Sequence, residues 1–214
     1  MKDCRASLDH LTVAALSLEQ GVAYVHRALG VVAPPGGSHP LMATHNHLMQ
    51  LGDGVFLEII APDGRAAPQR TRWFGLDDPT MRASLEKSPR LIGWVAQVTD
   101  LSRALREIDT DLGEAVSLAR GSLCWLMSVR RDGSMPFDGA FPMLIEWPAG
   151  PHASKQMADL GCQLERLSIE HPESMRLSGL LDPIMTDERI VVSNGAQMLI
   201  RATITTPYGP RELT

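Results

Sequence analysis

Of the seven histidines in this chain, five lie in its first 62 residues; His26 falls on the polar side of a helical stretch, and His10, His39, His45 and His47 fall in strand-like or turn segments. An imidazole can gain or lose a proton near neutral pH and can ligate a borderline metal. His10 sits in Leu8-Asp9-His10-Leu11-Thr12-Val13-Ala14, an alternating segment with Leu11 and Val13 on one face and His10, Thr12 and Ala14 on the other. Glu58 likewise lies opposite Leu57 and Ile59 in its own apolar segment. An imidazole and a carboxylate, each turned from the apolar face of its strand, can hydrogen-bond one another or move a proton. His45 and His47 share one face of a further segment, and Asn46 points the other way. Either His45 or Asn46 can therefore meet a ligand, and the pattern does not choose. His39 follows the pair Gly36-Gly37, within reach of a rim or out in solvent.

Aromatic residues supply a second set of candidates. Trp73-Phe74 stands in a Pro-rich, charged stretch, where it can form an apolar wall over a ligand or staple the stretch to its neighbours. Trp94 and Trp125 fall in strand-like runs, where core packing is the ordinary role and a ligand-facing ring the alternative for Trp125. Arg120, before Gly121, can meet an anionic group or sit exposed at a strand end. Ser122 and Ser128 lack a histidine–acid pair at recognisable spacing. Gly36-Gly37 is followed by His39-Pro40, which does not make a phosphate loop, because proline offers no amide N–H.

These residues must be positioned by repeated elements. After the strand at 8–15, Ser17 and Gln20 form a capping box. Leu18, Val22, Val25 and Leu29 make the apolar stripe of a helix, and Gly30 ends it. A turn-rich stretch, Pro34-Pro35-Gly36-Gly37, precedes strands at 44–51 and 55–61 joined by Gly52-Asp53-Gly54. The order repeats: a strand at 91–98, Asp100 as cap, a helical stripe of Leu101, Ala104, Leu105 and Ile108, then strands at 123–129 and 142–147. The same distance separates His10 from Gly30 and Gly93 from Gly113. A shorter third copy has a strand at 164–169, Pro172 opening a helix, and a hairpin around Asn194-Gly195. The expected units are 1–62, a linker over 63–90, a second unit over 91–148 and a shortened third over 149–214.

Composition narrows the partners. A net charge of −5 over 214 residues, without any Lys/Arg cluster, argues against nucleic acid. No apolar run approaches the roughly 20 residues that span a bilayer. Three cysteines at unrelated spacings (Cys4, Cys124, Cys162) fit reduced thiols better than a disulfide framework. With no signal-peptide stretch after Met1, a cytoplasmic location is expected.

The order and spacing of several motifs resemble the vicinal-oxygen-chelate superfamily, in its glyoxalase-like branch. They are Leu8-Asp9-His10-Leu11, Ala28-Leu29-Gly30, Gly36-Gly37-Ser38-His39-Pro40, Thr44-His45-Asn46, Phe56-Leu57-Glu58-Ile59-Ile60, Trp73-Phe74-Gly75, Gly93-Trp94 and Leu144-Ile145-Glu146-Trp147. The resemblance implies an α+β fold of paired βαβββ modules whose half-open curved sheet encloses one site. In metal-dependent members the ligands come from the first and last strands of each module, which places them here at His10, Glu58 and Glu146, with Gly93 at the fourth position. The resemblance thus implies a divalent metal (Zn, Mn or Fe) held by an incomplete set, or a metal-free polar cavity. Glu58 and Glu146 become candidate acid–base groups, and His39, His45, Asn46, Trp73 and Trp125 candidate substrate contacts. The expected activity is that of a lyase, isomerase or dioxygenase on a small molecule. The alternative is a metal-free binding protein similar to bleomycin-resistance proteins. An exposed sheet edge in such a fold is covered either by a second chain, in a homodimer, or by the third unit of the same chain.

Overall fold

The computed structural model describes residues 5–52, 54–121, 123–147 and 152–214, so Cys4, Asp53 and Ser122 lie outside it. β1 (Ala6–Ala14) leads into α1 (Leu18–Leu29), where the Ser17 hydroxyl accepts from the Gln20 amide and Gly30 adopts φ 78° to close the helix. β2 (Pro35–His39), β3 (Thr44–Gln50) and β4 (Phe56–Pro62) follow. Pro34 to Gly37 was expected as turn, but Gly36 and Gly37 run as strand: lacking Cβ atoms, they bring β2 close against the Asn46 and Arg120 side chains.

The stretch expected as linker contains α2 (Pro79–Lys87), capped by the Asp78 carboxylate. β5 (Arg90–Val98), α3 (Leu101–Glu107), β6 (Glu114–Arg120), β7 (Leu123–Val129) and β8 (Met143–Glu146) then repeat the wiring of the first unit. The eight strands form one sheet in the order β2-β3-β4-β1-β5-β8-β7-β6. This order reads alike from the middle outward: β1 is parallel to β4, β5 is parallel to β8, and β1 and β5 join antiparallel at the centre.

β9 (Gln163–His171), α4 (Ser174–Leu181), β10 (Ile190–Asn194), β11 (Leu199–Thr206) and β12 (Gly209–Leu213) build a second sheet in the order β10-β9-β11-β12. The expected hairpin around Asn194-Gly195 does not form. β10 and β11 pair with opposite sides of β9 instead, parallel and antiparallel respectively, and the Gly195 amide crosses to the His171 carbonyl at 3.4 Å. That arrangement puts Leu167 and Ile169 of β9 beside Ile200 and Ala202 of β11 in one buried core.

Two cores flank the large sheet. The outer core joins Leu11, Val13, Leu57 and Ile59 to Val25 and Leu29 of α1, Leu101 of α3 and the second sheet. The inner core lies in the concavity, where Trp73, Phe74, Leu76 and Leu85 of 63–90 pack against Ile60, Val95, Met143 and Ile145. The two faces of each strand thus have separate duties: one holds the protein together, the other lines a hollow. No helix among the described residues is long and apolar enough to cross a membrane.

Candidate functional site

The register of β1 explains how the most polar corner of the hollow arises. Leu8 pairs with Ala96 and His10 with Val95, so Asp9 is one residue too many, a β-bulge. Leu8, Leu11 and Val13 accordingly share the outer core. Asp9 is buried at 1% exposure. Its Oδ1 lies 2.5 Å from His10 Nδ1, and its Oδ2 accepts from Trp147 Nε1 and faces His152 Nε2, both at 2.9 Å. Burial raises the Asp9 pKa, but hydrogen bonds and charge from His10 and His152 outweigh it and hold the carboxyl at about 2. Asp9 is therefore an anion that only accepts, and His10 Nδ1 must carry the proton of their shared bond. Any proton the ring gains or loses is then at Nε2.

His10 Nε2 stands 3.7 Å from Glu58 Oε2. The ring is stacked on Phe56, with centroids 4.5 Å apart. Glu58 Oε1 accepts from Asn46 Nδ2 at 2.6 Å, and Asn46 Oδ1 in turn accepts from the Gly37 amide at 2.8 Å and from Arg120 Nη1 at 3.2 Å. Two donors on one side and a carboxylate on the other fix which way the amide faces. One Glu58 oxygen is thus committed to Asn46, while the other faces His10 and the hollow.

These residues border a chamber of about 30 Å³ measured to water centres, room for about two water molecules. The first unit supplies its polar side: His10, His39, Asn46 and Glu58. The second supplies an apolar one: Trp125, Met127, Ile145 and Trp147. Trp73 and Phe74, and Ala153 and Met157 from the segment after β8, complete the lining. Gln50 Nε2 ties that last segment down by donating to the carbonyls of Ser154 and Met157, each at 2.8 Å. His39 is buried edge-on to Trp73 and lies 3.0 Å from the Thr44 hydroxyl. Burial lowers its pKa to about 4 against the pull of Glu58, so this ring is neutral. The Trp73 indole N–H is buried without a partner among the described residues.

Of the sequence candidates, His10, Glu58, Asn46, His39, Trp73 and Trp125 all line this chamber. His45 does not; it shares its strand face with His47, which bonds the Ala33 carbonyl at 2.7 Å. Glu146 does not either. It lies between Ile145 and Trp147 and turns to the opposite side, where its carboxylate accepts from the Leu101 amide at 2.7 Å and caps α3. Strand register shows why. His10 faces Val95 across the centre of the sheet and pairs with Phe56, two residues before Glu58. Val95 pairs with Met143, two residues before Ile145. The counterparts of His10 and Glu58 are therefore Val95 and Ile145, not Gly93 and Glu146. Gly93 is covered instead: a Cβ there would lie 3.2 Å from Met135 Sδ.

The expected metal set does not fit this site. His10, His39 and Glu58 border the chamber, but one Glu58 oxygen is held by Asn46, His39 is held at Thr44, and the second-unit positions equivalent to His10 and Glu58 carry Val95 and Ile145. No group of three or more His, Cys, Asp or Glu suited to a metal occurs among the described residues. Sequence reasoning missed Asp9, Trp147 and His152. Alternation assigns Asp9 to the outer face, and only the bulge turns it inward.

A curved sheet of paired modules with one polar chamber defines a small-molecule enzyme or binder of the glyoxalase-like type. The chain belongs to this family: the model of the glyoxalase-like domain matches residues 8–185. A crystal structure of a hypothetical protein from Staphylococcus aureus has the same fold, with a TM-score of 0.60 and 12% identity over 90% of this chain and 88% of that one. Methylmalonyl-CoA epimerase from Mycobacterium tuberculosis is a more distant likeness, with a TM-score of 0.42 and 15% identity over 67% of this chain and 88% of that one. No curated protein matches the sequence.

Proposed function

We propose that this protein is a glyoxalase-like enzyme that moves a proton on a small carbonyl compound, in the manner of an isomerase or lyase, with Glu58 and His10 as the acid–base pair. The observation that carries the reading is the line Asp9–His10–Glu58, in which the buried anion fixes Nδ1 and leaves Nε2 and Glu58 Oε2 facing each other at 3.7 Å beside the chamber. One of the two takes the proton from the carbon next to the carbonyl, and the electron pair moves onto the oxygen. Delivery of the proton to the neighbouring carbon, or to the opposite face of the same carbon, completes an isomerisation; loss of a group from the adjacent carbon completes an elimination. The free Trp73 indole N–H is a donor for the developing oxyanion.

The test is NMR detection of hydrogen exchange at the α-carbon of a panel of small aldehydes, ketones and 2-oxo acids in D2O. Wild type is expected to catalyse exchange on at least one member. Glu58→Gln and His10→Gln, still folded by circular dichroism, are expected to lose about 100-fold or more. Exchange unchanged in both variants would overturn the proposal. The aromatic lining (Phe56, Trp125, Trp147) also supports a second reading, sequestration of an apolar molecule, for which tight binding with no exchange is the expected result.

A further inference from the structure

We infer that the ligand of this site is a carboxylate, an organic monoanion with an apolar body, and that Arg120 binds its charged end. The inference rests on the proton-transfer reading and names its substrate class. Arg120 is half-buried at the end of β6 and borders both the chamber and an adjoining groove of about 470 Å³, which shares Leu48, Ala153 and Met157 with it. Its side chain lies across Gly37, where a Cβ would come 2.5 Å from Arg120 Cδ, so the backbone of β2 makes room for it. Of five guanidinium N–H donors, one is engaged, by Asn46 Oδ1, and no carboxylate among the described residues pairs with it. A half-buried cation without a counter-ion is a costly arrangement that an anionic ligand relieves. Its charge also reaches inward, where it contributes to keeping His39 neutral.

The geometry places the reaction relative to that charge. The single amide of Asn46 spans the gap between Arg120 and Glu58, so a carboxylate on the guanidinium sets its neighbouring carbons before Glu58 Oε2 and His10 Nε2. The chamber admits only a small reacting end, and Leu48, Leu123 and Met157 in the groove suit an apolar remainder. A phosphate dianion is a poorer match, because among the described residues neither chamber nor groove is lined by a lysine or a second arginine.

The test compares matched pairs of carboxylates and their primary amides, from acetate through benzoate to phenylpropionate, by tryptophan fluorescence and ligand-observed NMR on the full chain. Wild type is expected to bind at least one carboxylate about 10- to 100-fold more tightly than its amide. Arg120→Gln, still folded by circular dichroism, should abolish that preference by weakening the carboxylate about 10- to 100-fold more than its amide. Glu58→Gln should retain it. No preference in wild type, including no binding by any member, overturns the inference, as does a preference that survives Arg120→Gln. A carboxylate preference without α-carbon exchange leaves this inference standing and rejects the proton-transfer reading. Exchange on neutral carbonyls without the preference does the reverse.

Discussion

Replacing Asp9 by asparagine probes the centre of the site while hardly changing its shape. The carboxylate faces three groups, His10 Nδ1, Trp147 Nε1 and His152 Nε2. An amide offers one acceptor oxygen and must turn its NH2 toward at least one of them, leaving a buried donor unpaired. In wild type the Asp9 carboxyl is drawn from its ordinary 3.8 to about 2. At about 1.4 kcal/mol per pH unit, that difference is worth about 2.5 kcal/mol of stability. For a chain of this length, such a loss lowers the thermal midpoint by about 5–10 °C. The sign follows from linkage. A carboxyl whose folded pKa is depressed contributes its full stability above the unfolded value and loses it as pH falls through the folded one. The gap between wild type and Asp9→Asn in urea denaturation should therefore be constant from about pH 7 to about pH 5, then narrow from about pH 4 toward pH 2. A variant as stable as wild type at neutral pH, or a gap that does not narrow in acid, would refute the reasoning.

Other expectations follow from the same geometry. His39, neutral in the fold with its pKa lowered to about 4, costs stability as pH falls from about 6.5, because the unfolded ring takes a proton the folded one refuses; the loss reaches about 3 kcal/mol. His39→Gln should flatten the urea midpoint between about pH 6.5 and pH 4.5, and an unchanged pH profile would contradict the assignment. Gly36→Ala puts a methyl group into Asn46 Oδ1, so it should cost about 1–3 kcal/mol in urea denaturation and misplace Glu58; a neutral substitution would contradict the close approach of β2. Val95→His with Ile145→Glu completes the missing half of a metal site. The double variant should bind zinc about 100-fold or more tightly than wild type by competition with a chelator, and equal affinities would disprove the register.

Much of the architecture was legible because local chemistry and tertiary role agree. Ser17, Gln20 and Gly30 bound α1 by capping physics alone, and the strand faces of His10 and Glu58 follow from alternation. β6 was not read from the sequence: Val116 and Leu118 alternate toward Arg120, but the flanking Glu114, Ala115, Ser117 and Ala119 give only a weak strand signal. What stayed hidden depends on interactions distant in sequence. A single bulged residue brings Asp9 beside His10, and nothing in Leu8-Asp9-His10 announces it. Glu146 reads as a ligand by motif, yet its parity matches Leu144 in the outer core, and only the pairing with β5 exposes the one-residue offset. Gly36-Gly37 has the composition of a turn but serves as a strand, because what it accommodates, Asn46 and Arg120, is remote along the chain.

Proton transfer at this site depends most on which nitrogen of the His10 ring carries its proton. Solution NMR of the protein labelled with 15N-histidine reads the His10 tautomer directly. The structure predicts a proton held on Nδ1, shifted to low field by its bond to Asp9 and lost as a resolved signal in Asp9→Asn. A proton fixed on Nε2, with Nδ1 bare, would contradict it.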